Sequence, residues 1–184
     1  MKMNKSVYYL TGMGGRLATG LGQALLSRGF ELSGRELSDE FRKLDFQQQV
    51  DLVAEDLQSL FWHEDARVIA NSFGAYLFLH AQIQMKPYIG RVLLLSPIVG
   101  EFSNGDTRMN FVPPRADKLQ LLADAGSFPI PINCEFYVGS EDWQSNPVNV
   151  TAFGSMLGID VTVVPNAGHT LPKEYVGNLL DRWL

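Results

Sequence analysis

Ser72 lies in the segment whose residue types and spacing best fit nucleophilic chemistry. An apolar run at residues 67–70 leads into Ser72, and a helix-like stretch follows it. Ala70 and Gly74, two positions before and two after, are small enough for a sharp strand-to-helix turn that exposes the hydroxyl. At a helix N-terminus the dipole favours the negative charge that develops during attack. An ordinary N-cap serine is the alternative interpretation.

A serine nucleophile needs a base, because its free hydroxyl is almost wholly protonated at neutral pH. His169 follows the last apolar run, residues 161–164, and precedes the final predicted helix. His63 precedes a predicted strand and His80 lies inside a predicted helix, so we expect surface or packing roles for both. His169 is therefore the candidate base, with a purely structural role as its alternative.

The elements between these residues must bring them together. Apolar runs predict strands at residues 7–10, 30–32, 67–70, 92–95, 134–138 and 161–164. Helical spacing predicts helices near residues 17–26, 46–61, 74–85, 116–123, 148–156 and 175–183. Strands without a polar face, separated by helices, indicate a parallel sheet covered on both sides. Functional residues are then expected just after the strands, at their carboxyl ends.

The stretch Ala70-Asn71-Ser72-Phe73-Gly74 resembles the nucleophile elbow, G-x-S-x-G, of the α/β-hydrolase family, with alanine at the first glycine. The resemblance implies a single α/β-hydrolase domain over residues 1–184. Its sheet would be reduced and mostly parallel, with about six strands and helices on both faces. It also implies that His169, in the loop after the last strand and preceded by glycine, is the catalytic base.

The same resemblance places the acid of a catalytic triad after the penultimate strand. Residues 139–142 match the G-x-x-D spacing of the family, which implies that Asp142 orients His169. Glu141 is the adjacent alternative, and Asp106, in the irregular stretch after the preceding strand, is a more distant one. The chain order Ser72, Asp142, His169 is the order of the family.

The glycine-rich segment at residues 11–15 resembles the H-G-x-x-G loop of that family, with Thr11 in place of histidine. The resemblance implies an oxyanion hole formed by the amides of Met13 and Phe73, each worth about 3 kcal/mol in the transition state. A dinucleotide-binding loop is the competing interpretation. It has glycines at the first two positions of G-x-G-x-x-G but Leu17 at the third, and Glu31 lies at an acceptable distance for a ribose contact.

Composition narrows the classes of partner. A net charge of −5 with scattered Lys and Arg argues against nonspecific nucleic-acid binding. The single cysteine, Cys134, excludes an internal disulfide and a cysteine-based metal cluster, and we expect it to be a small buried residue. The first apolar run is too short for a signal-peptide core, and no transmembrane-length run follows, so a cytoplasmic protein without membrane contact is the default expectation.

These features predict a hydrolase that cleaves a small-molecule carboxylic ester or thioester through an acyl-enzyme on Ser72. No metal or organic cofactor is implied, since the three histidines lack metal-ligand spacing. Residues 98–131 are expected to form a short insertion or partial lid. Candidates for an apolar acyl pocket, with core packing as their alternative, are Phe102, Met109, Phe111 and Trp143.

Two other functions remain open. One is a noncatalytic binding protein of the same fold with a vestigial triad. The other is a nucleotide-binding oxidoreductase that uses the loop at residues 12–15. The physiological substrate and the oligomeric state do not follow from the sequence.

Overall fold

A six-stranded sheet forms the centre of the computed structural model, which describes residues 4–184. Its strands are β1 (Ser6–Met13), β2 (Glu31–Leu37), β3 (Arg67–Asn71), β4 (Arg91–Leu95), β7 (Asn133–Gly139) and β8 (Asp160–Val164). They lie in the order β2-β1-β3-β4-β7-β8, and every neighbouring pair is parallel. A separate antiparallel hairpin consists of β5 (Phe102–Asn104) and β6 (Met109–Phe111). The predicted parallel sheet is confirmed.

Seven helices accompany the strands within the described residues: α1 (Leu21–Leu26), α2 (Asp39–Lys43), α3 (Phe46–Leu60), α4 (Phe73–Ile83), α5 (Lys118–Asp124), α6 (Pro147–Leu157) and α7 (Lys173–Trp183). Alternate strand residues point into two separate cores, as the period of a strand requires. α1 and α7 cover one face, where Leu25 and Leu180 are fully buried. α3, α4 and α6 cover the other, where Val53, Leu77 and Phe153 are buried. The expected helices on both faces are confirmed.

The strand order creates a crevice at the carboxyl ends of β1 and β3, inside the sheet. From β1 the chain moves outward to β2, and it then returns to β3 on the other side of β1. Loops on opposite sides of such a reversal leave a gap at the carboxyl ends of the two strands. The glycine-rich segment forms the end of β1 and the turn after it, and Ser72 follows β3, so both lie at this reversal.

Four segments differ from the sequence prediction. α1 begins only at Leu21, because residues 14–20 form a loop that ends at Gly20 with φ of 53°. β2 is longer than predicted, since its polar residues and Gly34 conceal the strand pattern. α2 and the β5–β6 hairpin were not predicted, because five-residue and three-residue elements are too short to show a period.

Residues 98–131, predicted to be an insertion or partial lid, contain the hairpin and α5. None of the helices within residues 4–184 has both the length and the apolarity needed to cross a bilayer.

Candidate active site

Ser72 occupies a strained turn between β3 and α4. Its backbone has φ of 54° and ψ of −118°, a conformation that non-glycine residues rarely adopt. The amide of Ser72 donates to the carbonyl of Leu95 (2.9 Å), which fixes the turn against β4. A Cβ on Gly74 would lie 2.4 Å from the carbonyl oxygen of Thr11, so the first turn of α4 can approach β1 only with glycine there. Ala70 is fully buried, and its methyl group fits in the core.

Ser72, His169 and Asp142 form a continuous hydrogen-bonded chain. The Oγ of Ser72 lies 2.7 Å from Nε2 of His169. Nδ1 of the same ring lies 2.9 Å from Oδ2 and 3.1 Å from Oδ1 of Asp142. Because an ionised carboxylate only accepts, Nδ1 carries the imidazole proton and Nε2 accepts from the serine hydroxyl. This is the arrangement in which a histidine can remove a proton from serine.

Backbone donors hold the carboxylate of Asp142 in place. The amides of Gln144 and Ser145 both donate to Oδ1 at 2.9 Å, and Asp142 is only 2% exposed. The adjacent Glu141 has an exposed side chain, and Asp106 is exposed in the β5–β6 turn. Of the three acids considered from the sequence, Asp142 is the one that contacts His169.

The loops that carry Asp142 and His169 are joined to each other. The amide of Glu141 donates to the carbonyl of Ala167 (2.9 Å), and the amide of Asn166 donates to Oγ of Ser140 (2.9 Å). A Cβ on Gly139 would lie 2.2 Å from the carbonyl oxygen of Ala167. Glycine at the start of the G-x-x-D segment therefore lets the two loops touch.

Two buried serines that the sequence did not single out support the histidine loop. Ser96 follows β4, is 1% exposed and has φ of 47°. Its Oγ donates to the carbonyl of His169 (2.7 Å), and Oγ of Ser145 donates to the carbonyl of Ser96 (2.5 Å). The one sequence signal for Ser96 is its place directly after a central strand. For Ser145 we find no sequence signal.

Thr11 organises the glycine-rich loop through its side chain. Its Oγ1 donates to the carbonyl of Gly15 (3.3 Å) and accepts from the amide of Leu37 (2.9 Å). A Cβ on Gly12 would lie 3.3 Å from Cβ of Ser72, so the loop packs directly against the turn that carries Ser72.

The two residues whose amides are assigned to the oxyanion hole border the Ser72 site. Phe73 is the first residue of α4, where backbone N–H groups lack helical partners. Met13 lines a cavity together with Ser72 and His169. The role of both amides as oxyanion donors stays a prediction.

That cavity has a volume of about 810 Å³ and extends from Ser72 and His169 between α1 and α7. None of the four residues predicted to line an acyl pocket lines it. Phe102 instead packs against Phe111 (ring centroids 5.0 Å apart) and Trp143 (5.8 Å), while Met109 is exposed. Phe111 also contacts Phe73 (6.5 Å), so this aromatic cluster borders the nucleophile turn from another direction. An acyl-binding role for the cluster stays a prediction.

The remaining histidines lie away from this site. His80 is 2% exposed between the rings of Phe46 and Tyr76, and neither ring nitrogen has a hydrogen-bond partner among the described residues. This burial lowers the pKa of His80 to about 4. His63 is partly exposed between α3 and β3. The residue Cys134 is partly exposed, but its thiol is buried, which raises the pKa of the thiol.

The sequence of the chain matches no protein-family model and no curated protein sequence at a significant level. Its structure, in contrast, superposes on many solved structures. α/β hydrolase domain-containing protein 10 from mouse matches with a TM-score of 0.67 and 13% identity, over 97% of this chain and 88% of that one. The chain has the α/β-hydrolase fold.

Two further α/β-hydrolase structures match with similar coverage. One comes from work on carboxylesterases of the ammonia-oxidizing thaumarchaeon Nitrososphaera gargenis (TM-score 0.65, 15% identity, 98% of this chain and 90% of that one). The other is MGS-MChE2, an α/β hydrolase enzyme from the metagenome of Mar Chica lagoon sediments (TM-score 0.63, 19% identity, 98% and 90%). The α/β-hydrolase fold that the elbow resemblance implied is thus confirmed over nearly the whole chain.

Proposed function

We propose that this protein is a serine hydrolase that cleaves carboxylic esters or thioesters through an acyl-enzyme on Ser72. The observation that carries the proposal is the unbroken contact from Ser72 Oγ to His169 Nε2 and from His169 Nδ1 to Asp142. The hydrolases and carboxylesterases among the structural neighbours support the same class of reaction.

In the proposed reaction, Oγ of Ser72 attacks the substrate carbonyl carbon while Nε2 of His169 takes the hydroxyl proton. The carbonyl oxygen becomes an oxyanion that the amides of Met13 and Phe73 stabilise. When the bond to the leaving group breaks, His169 returns the proton to the departing alkoxide or thiolate. A water molecule then attacks the acyl-enzyme with His169 again as base, which releases the acid and restores Ser72. Asp142 stabilises the imidazolium that forms in each half-reaction.

The two alternative functions fit these contacts less well. A noncatalytic binding protein would not require a histidine with one ring nitrogen on a buried carboxylate and the other 2.7 Å from a serine hydroxyl. A dinucleotide site would place the pyrophosphate at a helix N-terminus directly after the glycine loop. Here α1 begins only at Leu21 and has six residues, while Gly12 is explained by its packing on Ser72.

The test is a chain-length series of para-nitrophenyl esters and acyl thioesters with three proteins. Wild type should hydrolyse at least one member of the series, and Ser72→Ala should reduce kcat by at least about a thousandfold while remaining folded. Ser103→Ala, which alters an exposed hairpin serine, is the matched control and should retain wild-type rates. Undiminished hydrolysis in Ser72→Ala would overturn the proposal.

A further inference from the structure

The cavity beside Ser72 has an unusual balance of charge. Its lining contains three cationic side chains, Arg16, Arg28 and Lys173, and no carboxylate. In the whole chain the balance is reversed, with 20 acidic residues against 15 basic ones. A cleft lined by one sign of charge raises the local concentration of ligands of the opposite sign. A cation of this lining that has no carboxylate partner is therefore suited to bind an anionic ligand group, although the protein as a whole is acidic.

The two arginines are already engaged within the protein. Arg16 forms ion pairs with Glu36 and Asp39 at the surface. Arg28 pairs with Asp181 (2.8 Å) and donates to two backbone carbonyls, which ties α1 to α7. The carboxylates of these ion pairs offset the charge of both arginines, so neither guanidinium is free to bind a ligand.

Lys173 is the third cation of the cavity lining, and it differs from the two arginines in its lack of a carboxylate partner among the described residues. Within residues 4–184 no carboxylate lies within ion-pair distance of its ammonium group. It is exposed and is the first residue of α7, where its charge adds to the positive end of the helix dipole. It follows His169 by four residues and lines the same cavity.

Apolar side chains complete the cavity wall between α1 and α7. Leu21 and Ala24 of α1 face the cavity, and Val176 of α7 does so as well. An ester whose arm is a short methylene chain ending in an anion would match this combination, with its carbonyl at Ser72. We propose, on the basis of the function proposed above, that the substrate carries a carboxylate or phosphate group on the arm that occupies this cavity, and that Lys173 binds that anion.

The test compares esters that differ only in charge. One pair is the para-nitrophenyl monoester of adipic acid and its ω-carboxamide. A second pair places the charge on the alcohol, as the butyryl esters of 6-hydroxyhexanoic acid and its amide. A third compound replaces the adipyl carboxylate by a phosphonate, which separates the two kinds of anion. Rates with Ser72→Ala are subtracted, because a neighbouring carboxylate can hydrolyse such esters without enzyme.

Wild type should prefer the anionic member of at least one pair by about two- to fivefold in kcat/KM, the worth of one solvent-exposed ion pair. Lys173→Met should bring that ratio to about one, chiefly through KM, and Lys173→Glu should invert it. Lys86→Met is the matched control, since Lys86 is exposed in the loop after α4, does not line the cavity and should leave the ratio unchanged.

Three results would overturn parts of this inference separately. Equal rates for the charged and neutral members of both pairs in wild type would exclude an anionic substrate. A preference that persists in Lys173→Met would exclude Lys173 as the binding residue. If a fluorophosphonate does not label Ser72 and no ester is cleaved, the proposed function itself fails and the inference falls with it.

Discussion

At the scale of single residues, contacts on three sides hold His169 in place. Asp142 contacts one ring nitrogen, Ser72 contacts the other, and Ser96 donates to its backbone carbonyl. A histidine without these contacts could adopt other rotamers and either tautomer. The hydrogen bonds therefore select the one state in which Nε2 can accept a proton from the Ser72 hydroxyl.

Replacement of Asp142 tests whether its carboxylate is the acid that supports His169. Asp142→Asn keeps the shape of the side chain but removes the charge that stabilises the imidazolium, so kcat should fall by about a thousandfold or more. Glu141→Gln should change kcat by less than about tenfold, because the Glu141 side chain is exposed. Steady-state ester hydrolysis measures both, and a larger loss in Glu141→Gln would assign the acid to that residue instead.

Replacement of Ser96 tests whether the backbone of His169 needs its anchor. Ser96→Ala removes the hydroxyl that donates to the partly buried carbonyl of His169, so kcat should fall by about tenfold while KM changes little. If Ser96 had only a structural role, Ser96→Ala would lower stability and leave kcat of the folded protein unchanged. Ser103→Ala provides the exposed control for both the kinetics and thermal unfolding.

At this scale the sequence predicted that Ser72, Asp142 and His169 would come together, but not the residues that support them. The three positions could be predicted because a strand-to-helix turn with small neighbours, the G-x-x-D spacing and a histidine after the last strand leave local patterns; their catalytic roles stay a prediction. Ser96 and Ser145 act through hydroxyl groups on distant backbone carbonyls. Such contacts depend on tertiary packing alone, so they leave no motif.

The loops after β7 and β8 work as a unit at the scale of elements. They share one backbone–backbone hydrogen bond and one from the Asn166 amide to Oγ of Ser140, and Gly139 allows them to touch. A substitution that moves one loop is therefore expected to move the other loop as well. The contacts between the two loops thus keep Asp142 and His169 within hydrogen-bond distance of each other.

Alanine at Gly139 tests this joint. Its Cβ would lie 2.2 Å from the backbone oxygen of Ala167, so the loops must separate. Gly139→Ala should lower the free energy of unfolding by about 2 kcal/mol or more and reduce kcat by over about tenfold. Gly105→Ala is the control, since a Cβ there meets nothing within 4 Å. Urea denaturation and ester kinetics check both variants, and a Gly139→Ala protein equal to wild type would contradict the role assigned to the contact.

The sheet could be predicted from the sequence because its buried strands are continuous apolar runs. The hairpin β5–β6 could not, since three-residue strands carry no period. The acyl-pocket residues illustrate a further limit: Phe102 and Phe111 are apolar, but the sequence does not show which side of the nucleophile turn they face.

His80 gives the whole molecule a pH dependence that is separate from its chemistry. Burial, with Arg115 and Lys118 nearby, lowers the pKa of His80 to about 4. In the unfolded chain a histidine has a pKa of about 6.5. Between these values the unfolded state binds more protons, so stability is lost as the pH falls through this window.

The free energy of unfolding should therefore drop by about 2 kcal/mol from pH 7 to pH 5 through His80 alone. His80→Phe keeps a ring between Phe46 and Tyr76 and should remove that part of the pH dependence. His63→Gln, at a partly exposed histidine, should retain it. Urea denaturation at the two pH values compares the three proteins, and an identical drop in His80→Phe would contradict the prediction.

The position of the nucleophile is tested most directly by covalent labelling. The protein is treated with a fluorophosphonate, digested, and mapped by mass spectrometry. One adduct is expected, on the peptide that contains Ser72; it should be absent in Ser72→Ala and form much more slowly in His169→Ala. An adduct on a different serine, or a folded wild-type protein that does not react, would contradict the assignment of Ser72 as the nucleophile.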